Sequence, residues 1–378
     1  MIIKSIEYSQ YDGTANEWRL ENCSLGPVNL IVGENATGKS KILNVIGNLG
    51  NLLTGAKPVF LSANYKVEFD NAGDNLLYLL KCDQGSVTEE RLNLGRRNLL
   101  SRTKDGKGQI YYARLKRKLN FQPPPEQVVS IARRDSVQHP FLEILYNWGE
   151  AVRHYYFGTD MGQNAFAFPV EKVGQVQPKL SSKTTEMVVA TFLEGQKQFP
   201  TNFVKSIIQD MHSIGYELTD VLAAPPFGLG GLPKAVLAIH AKEADLRAST
   251  SQNNMSQGMF RALSLIIHIT YALLAESPAC ILIDDIGEGL DYNRSTALVK
   301  LLIEKTVGTS TQLIMATNDR FVMNSVPLDY WSVVQRVGNV SRVLNKRNSS
   351  RLFKRFELTG LNNFDFFSTK YYLKESEQ

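Results

Sequence analysis

Val28-Asn29-Leu30-Ile31-Val32-Gly33-Glu34-Asn35-Ala36-Thr37-Gly38-Lys39-Ser40 is the stretch that decides the fold. An apolar run enters a loop bounded by two glycines, and Ile42, Leu43, Val45 and Ile46 then recur at helical spacing. This is G-x-x-x-x-G-K-[ST] in the strand–loop–helix context that the pattern requires. Gly33 and Gly38 free the backbone to turn the amides of Glu34, Asn35, Ala36 and Thr37 inward, which makes a nest for an anion. The positive end of the following helix dipole adds to it. Lys39 is placed to reach the outer phosphates of a nucleoside triphosphate, and the Ser40 hydroxyl to hold Mg2+. A chance glycine-rich turn would not also carry Lys39 and Ser40 in register between strand and helix.

Around this loop the composition is that of a globular chain: 378 residues, 43% hydrophobic and 21% charged. Cys23, Cys82 and Cys280 are odd in number and far apart, which excludes a disulfide framework and a zinc spacing and points to a reducing cytoplasm. The N-terminus Met1 to Glu7 is too short and too charged for a signal peptide. The most apolar stretch, Ala262 to Ala275, is interrupted by His268 and falls short of a membrane span, so no membrane partner is expected. A net charge of +5 permits an acidic partner without requiring one.

Upstream of the loop, short strands are expected at Ile2–Tyr8 and Trp18–Leu20; downstream, a helix runs from Lys39 to Leu53. Tyr65, Val67 and Phe69 alternate with Lys66, Glu68 and Asp70, and turn clusters follow at Asn71–Asp74, Asp83–Ser86 and Lys104–Gly108. Residues 61–120 therefore read as an antiparallel meander. Gln122-Pro123-Pro124-Pro125 breaks it, and helices are expected at Phe141–Tyr156, Glu186–Phe199 and Asn202–Ile214, a helical insertion over 121–234. A second breaker, Ala224 to Pro233, ends that section. The chain returns with a strand at Ala235–Ile239, a helix at Ser256–Ala275, the strand Cys280–Ile283, a helix near Ser295–Lys305 and the strand Gln312–Met315. Strands alternating with helices predict an α/β core with a mainly parallel sheet, split between residues 1–60 and 235–345. Residues 346–378 form a basic, aromatic C-terminal segment, in which Gly360–Phe367 is expected as a β-edge buried on the core, with a docking strand as the alternative.

The second half of the site follows from Cys280-Ile281-Leu282-Ile283-Asp284-Asp285, a buried strand that ends in carboxylates. Asp284 at such a tip is placed to organise Mg2+. Just upstream, Met255-Ser256-Gln257-Gly258-Met259 opens a helix whose N-terminus can receive a phosphate. With these motifs in order, the chain resembles the ABC-class ATPases, and Ser-Gln-Gly resembles the branch that holds the OLD, RecF and SMC-like proteins. Asp284-Asp285-Ile286-Gly287-Glu288-Gly289-Leu290-Asp291 and the entry Gly26–Asn35 are similar to the same branch. The resemblance covers residues 1–50 and 235–325. It implies an ABC-type P-loop ATPase head in which Gly33–Ser40 binds ATP and Ser256, Gln257 and Gly258 contact the ATP of a second copy, with Asp291 near the seam. Heads then join on ATP and part on hydrolysis.

Two positions depart from the branch. Its base is usually Glu, and Asp285 stands here with a carboxylate about one methylene shorter in reach, which implies slow turnover or a shifted backbone; Glu288 is a substitute candidate, outside the family's base position. Asn318 stands where the switch histidine belongs; it can hydrogen-bond a γ-phosphate but carries no proton charge. These departures leave two functions open: an ATPase switch, and a nucleotide-gated scaffold with little turnover. The stretch after Asn318 is short for an OLD-type nuclease domain and lacks an acidic cluster. A separate effector or nuclease protein is therefore the expected partner, with anti-phage defence preferred by family analogy and RecF-like repair as the alternative. The long stretch between Lys39 and Ser256 argues against a transporter subunit, and Asn345-Lys346-Arg347-Asn348 lacks the terminal Asp of a guanine-reading motif.

Cations crowd the meander from Arg91 to Lys118 and recur at Lys346, Arg347, Arg351, Lys354 and Arg355. They form either solvated faces, a dock for an acidic protein, or a track for nucleic acid. For adenine, Tyr11 and Trp18 are the stacking candidates, with core packing the favoured role for Trp18.

Overall fold

The computed structural model describes residues 1–167, 185–227, 236–276 and 279–373. The N-terminal strands are β1 (Ile2–Gln10), β2 (Trp18–Ser24) and β3 (Val28–Val32), after which α1 (Lys39–Thr54) leaves the loop. Six strands follow: β4 (Ser62–Asn71), β5 (Asp74–Asp83), β6 (Ser86–Leu94), β7 (Arg97–Arg102), β8 (Gly108–Tyr112) and β9 (Arg117–Phe121). Next come α2 (Val129–Ala132), α3 (Pro140–Ala151), β10 (Val152–Tyr156), α4 (Val188–Gln198), α5 (Phe203–Ser213) and β11 (Leu218–Ala224). The chain returns through β12 (Ala238–Glu243), β13 (Thr250–Ser251), α6 (Gln257–Leu274), β14 (Cys280–Asp284), α7 (Tyr292–Thr306) and β15 (Gln312–Ala316). It closes with α8 (Arg320–Ser325), β16 (Trp331–Val337), β17 (Val340–Asn345), α9 (Ser350–Glu357) and α10 (Asn363–Ser368).

Fourteen of these strands form one sheet in the order β10-β14-β15-β3-β16-β17-β2-β1-β4-β5-β6-β7-β8-β9. The expectation of a mainly parallel sheet is corrected here. Only β10 through β16 and the β17–β2 pair run parallel; the rest of the ladder is antiparallel. The reason is that β1 pairs with β4, so the meander extends the core sheet instead of forming a second one.

The period of two along each strand divides the interior into two cores. Leu30, Val32, Ile281, Ile283, Leu313 and Met315 face the core built with α4 to α10. Ile31, Cys280, Leu282, Ile314 and Ala316 face the core shared with α1, α3 and the meander. Strands buried on both faces leave no place for polar side chains except at their ends, which is where the loops of interest begin.

Three further expectations change. The predicted helix Phe141–Tyr156 stops at Ala151, and Val152–Tyr156 becomes β10, parallel to β14. An open ladder beside β14 outweighs the helical pattern of a segment rich in Val, His and Tyr. The predicted C-terminal β-edge is a helix: Asn362 and Asp365 form a capping box, and Phe366 is buried against Phe353 and Phe356. The polar loop Ser249–Met255 contains the short strand β13. Gly228 to Pro233 of the second breaker and Ala235 lie outside the described residues. Among the described residues α6 alone is long and apolar enough to cross a membrane, and 72% of it is buried inside the protein, as befits a core helix.

Candidate functional site

The loop Gly33–Ser40 leaves the C-terminal end of β3 and turns into α1. Two residues take the left-handed backbone that the turn needs: Ala36 at φ 63° and Gly38 at φ 109°. At Gly38 a side chain would meet both that strain and the Ser341 hydroxyl, 3.1 Å from an added Cβ. Glu34, Asn35 and Ala36 are exposed, and Thr37 donates its hydroxyl to the Glu34 carbonyl at 2.8 Å. Lys39 is buried to 7% exposure, and its ammonium donates to the Gly33 and Glu34 carbonyls at 2.9 and 3.2 Å. Burial pushes its pKa down, against the pull of Asp285 and Asp284.

β14 delivers Asp284 to the same place. Its carboxyl is pushed above its usual range, chiefly by burial, while the Ser40 hydroxyl and Lys39 pull it back. One carboxylate oxygen, Oδ1, is buried with no hydrogen-bond partner among the described residues. An orphaned carboxylate oxygen is costly unless something cationic completes it. Ser40, Asp284 and Lys39 thus come together. The donor set, one hydroxyl and one carboxylate beside a phosphate nest, fits Mg2+.

Asp285 follows, half-buried, with φ 55°, a strained position for a non-glycine residue that Asp tolerates better than most. Its carbonyl accepts from Glu288 N at 3.2 Å. The turn after β15 is tied to this loop: Thr317 donates its hydroxyl to the Ile286 carbonyl at 3.0 Å. Asn318 is exposed on that turn, and the next residue, Asp319, caps α8.

Ser256 is the N-cap of α6 and accepts from Met259 N at 3.3 Å. Ser256 and Gln257 are exposed, whereas Gly258 is buried. A Cβ on Gly258 would lie 2.5 Å from the Gly289 carbonyl, so the loop before α6 packs directly on the loop after β14. Asp291 caps α7 and pairs with Arg294 at 2.8 Å on the surface. Hydrogen bonding from the Arg294 amide, with the guanidinium beside it, holds the Asp291 carboxyl below its usual range. The structure therefore places Gly33–Ser40 and Asp284–Asp285 at one point. It leaves Ser256, Gln257 and Asp291 facing solvent at another.

Several neighbours carry no motif. Ser341 on β17 donates to the Thr37 carbonyl at 2.7 Å and accepts from the Trp18 indole at 3.1 Å. Arg336 on β16 donates to the Ala36 carbonyl at 3.1 Å. Lys370, beyond α10, pairs with Glu34 at 2.8 Å. These contacts join residues some 300 positions apart, and no local pattern signals them. Trp18 is 4% exposed and braces the loop beneath Lys41, 4.1 Å over its ring; Tyr11 stays at 39% exposure. One missed residue did leave a signal: Arg261 is the only formal charge in α6.

Comparison with known proteins gives a fold and no more. No protein-family model matches this chain, and no curated protein matches it. Among solved structures, 215 chains match. An Smc head bound to the C-winged helix domain of ScpA matches with a TM-score of 0.53 at 16% identity, over 93% of this chain and 100% of that one. An Smc head with an extended coiled coil, bound to the C-terminal domain of ScpA derived from Pyrococcus furiosus, matches at 0.50 and 14%, over 94% and 99%. Both of these are Smc head domains, and what this chain shares with them is their fold.

Proposed function

We propose that this chain is a cytoplasmic ATP-binding head of the OLD/RecF/SMC-like kind that dimerises around Mg2+ and ATP, hydrolyses ATP slowly, and controls a separate effector. The observation that carries it is the meeting of Lys39, Ser40 and the orphaned oxygen of Asp284 at the mouth of the phosphate loop. Ser40 and Asp284 would hold Mg2+, whose charge neutralises the triphosphate. The amides of Glu34 to Gly38 cradle the phosphates, and Lys39 exchanges its loop carbonyls for phosphate oxygens. Asp285 is the base that positions water, and Asn318 donates to the γ-phosphate. Ser256, Gln257, Gly258 and Asp291 complete the site of a second copy, which accounts for polar, exposed residues at the start of an otherwise buried helix.

ATP should shift the wild-type protein to a dimer in light scattering, and Ser256→Arg should abolish the shift by placing a long cation on the closing face. A mutant that dimerises normally overturns the two-head arrangement. Phosphate release separates switch from latch: equal near-zero rates for wild type and Asp285→Asn assign a nucleotide-gated scaffold. Anti-phage defence with a nuclease or toxin as effector is the setting favoured by analogy. Co-purification of the intact complex tests it, and the absence of any nuclease or toxin counts against it.

A second function, nucleic-acid contact, is favoured by one specific arrangement. The β6–β7 and β8–β9 turns lie side by side, since Arg97 sits 3.7 Å over the Tyr111 ring and Lys118 donates to Asn98 at 2.8 Å. They bring together the exposed Arg96, Arg97, Arg114, Lys116, Arg117 and Lys118, none paired with a carboxylate among the described residues. The other meander cations do not join them: Arg91 pairs with Glu89, and Arg102 is buried beside Glu90. DNA retention that falls steeply with salt, and more gently after reversal of these charges, supports this function. Retention unchanged by charge reversal removes it.

A further inference from the structure

We infer that Arg261 is a positioning residue that couples two nucleotide sites, by locking the Ser256–Gly258 loop to the Asp284–Asp285 loop of the same head. This inference rests on the two-head arrangement proposed above and adds the part that makes one site sense the other.

The Arg261 side chain is 6% exposed and pairs with no carboxylate among the described residues. Burying a guanidinium without a counter-ion is unfavourable unless its donors are matched in detail. Here they are spent on three backbone carbonyls: Thr159 from Nε at 2.6 Å, Glu288 from Nη1 at 3.1 Å and Gly158 from Nη2 at 3.0 Å. Those carbonyls belong to the two loops that flank Asp284–Asp285. Gly158 and Thr159 follow β10, whose extension donates Phe157 N to the Asp284 carbonyl at 3.0 Å. Glu288 follows β14 and bonds back to Asp285. The planar fork spans both loops as no other side chain can; Lys offers a point charge with one nitrogen.

The fit at this joint leaves no slack. A Cβ on Gly289, whose φ is +80°, would sit 2.8 Å from Arg261 Nη1, and one on Gly258 would sit 2.5 Å from the Gly289 carbonyl. The start of α6, Arg261 and the loop after β14 therefore move as one body. In the dimer, Ser256–Gly258 meets the ATP held by the partner, while Asp284–Asp285 serves the ATP of its own head. A γ-phosphate engaged at the first displaces the strained Asp285 at the second, a coupling through a rigid contact between two sites. Arg261 touches neither nucleotide, which leaves binding within one head unaffected.

The test uses the full chain, with Arg261→Lys and, from the opposite side of the joint, Gly289→Ala. Three quantities are measured: affinity for fluorescent ATP at dilution where the protein is monomeric, phosphate release against ATP concentration, and thermal midpoint. Wild type should show a Hill coefficient approaching ~2, and both variants ~1 with turnover down about tenfold, at unchanged monomer affinity. Wild-type cooperativity in both variants overturns the coupling. Lost monomer affinity together with a lowered thermal midpoint makes Arg261 a fold-holding residue and overturns it as well. A wild type that binds no ATP refutes the ATP-binding head itself, a failure distinct from the other two.

Discussion

Asp284 and Glu90 are both buried carboxylates in one sheet, and they are treated in opposite ways. Asp284 stands at the tip of β14 with one oxygen unpartnered. Glu90 lies within β6, fully buried, and is satisfied: Tyr78 donates its hydroxyl at 2.8 Å, Val129 N donates at 3.0 Å, and Arg102 lies 3.8 Å away. Arg102 in turn donates to the Gln127 and Pro124 carbonyls, so the pair pins the proline linker onto the meander. The comparison separates two uses of a buried charge. A satisfied one fastens chain to chain, while an unsatisfied one at a strand tip is the candidate to meet a cationic ligand.

The comparison is broken most severely on the meander side. Arg102→Ala leaves Glu90 buried without its cation and should cost on the order of 3–5 kcal/mol in urea unfolding, with ATP affinity retained in the fraction that folds. Lys39→Ala should do the reverse: unchanged unfolding, and ATP affinity down roughly a hundredfold for the loss of a charged phosphate contact.

A pH titration sharpens the contrast. Burial pushes Glu90 from 4.5 up to about 7, against its hydrogen bonds and Arg102. A raised folded-state value favours the protonated form, so this contribution is fully present below about pH 4.5 and lost as pH rises towards 7. Glu90→Gln should flatten that part of the stability profile; an unaltered slope assigns it to other groups. The smallest effect is expected at Lys370→Glu. Its pair with Glu34 is half-exposed on both sides and screened by solvent, so the urea midpoint should barely move, and ATP affinity should change by less than about fivefold.

What was legible in the sequence was whatever is contiguous. Val28 to Ser40 sets a strand, a turn and a helix start within thirteen residues. Cys280 to Asp284 does the same for a buried strand with a carboxylate tip. The meander showed through its alternation, since Tyr65, Val67 and Phe69 are buried as spaced. The capping box at Asn362 and Asp365 is equally local, but the aromatic run around it carries the pattern of a strand as readily as that of a helix.

What only the tertiary structure decided is whatever pairs distant residues. Val152–Tyr156 became a strand because β14 offered an open ladder, a fact absent from its own five residues. The sheet turned out largely antiparallel because β1 met β4. Six meander cations converge because the β6–β7 and β8–β9 turns lie side by side, while Arg91 pairs with Glu89 on its own strand and Arg102 is buried beside Glu90 on the next. Ser341, Arg336 and Arg261 act on backbone carbonyls, which every residue possesses, so their partners leave no trace in side-chain identity. The sequence by itself determined that a glycine-bounded loop ending in Lys39-Ser40 and an aspartate-tipped strand exist. Folding decided that they meet at Asp284, because that meeting depends on β14 and β3 flanking β15 in one parallel ladder.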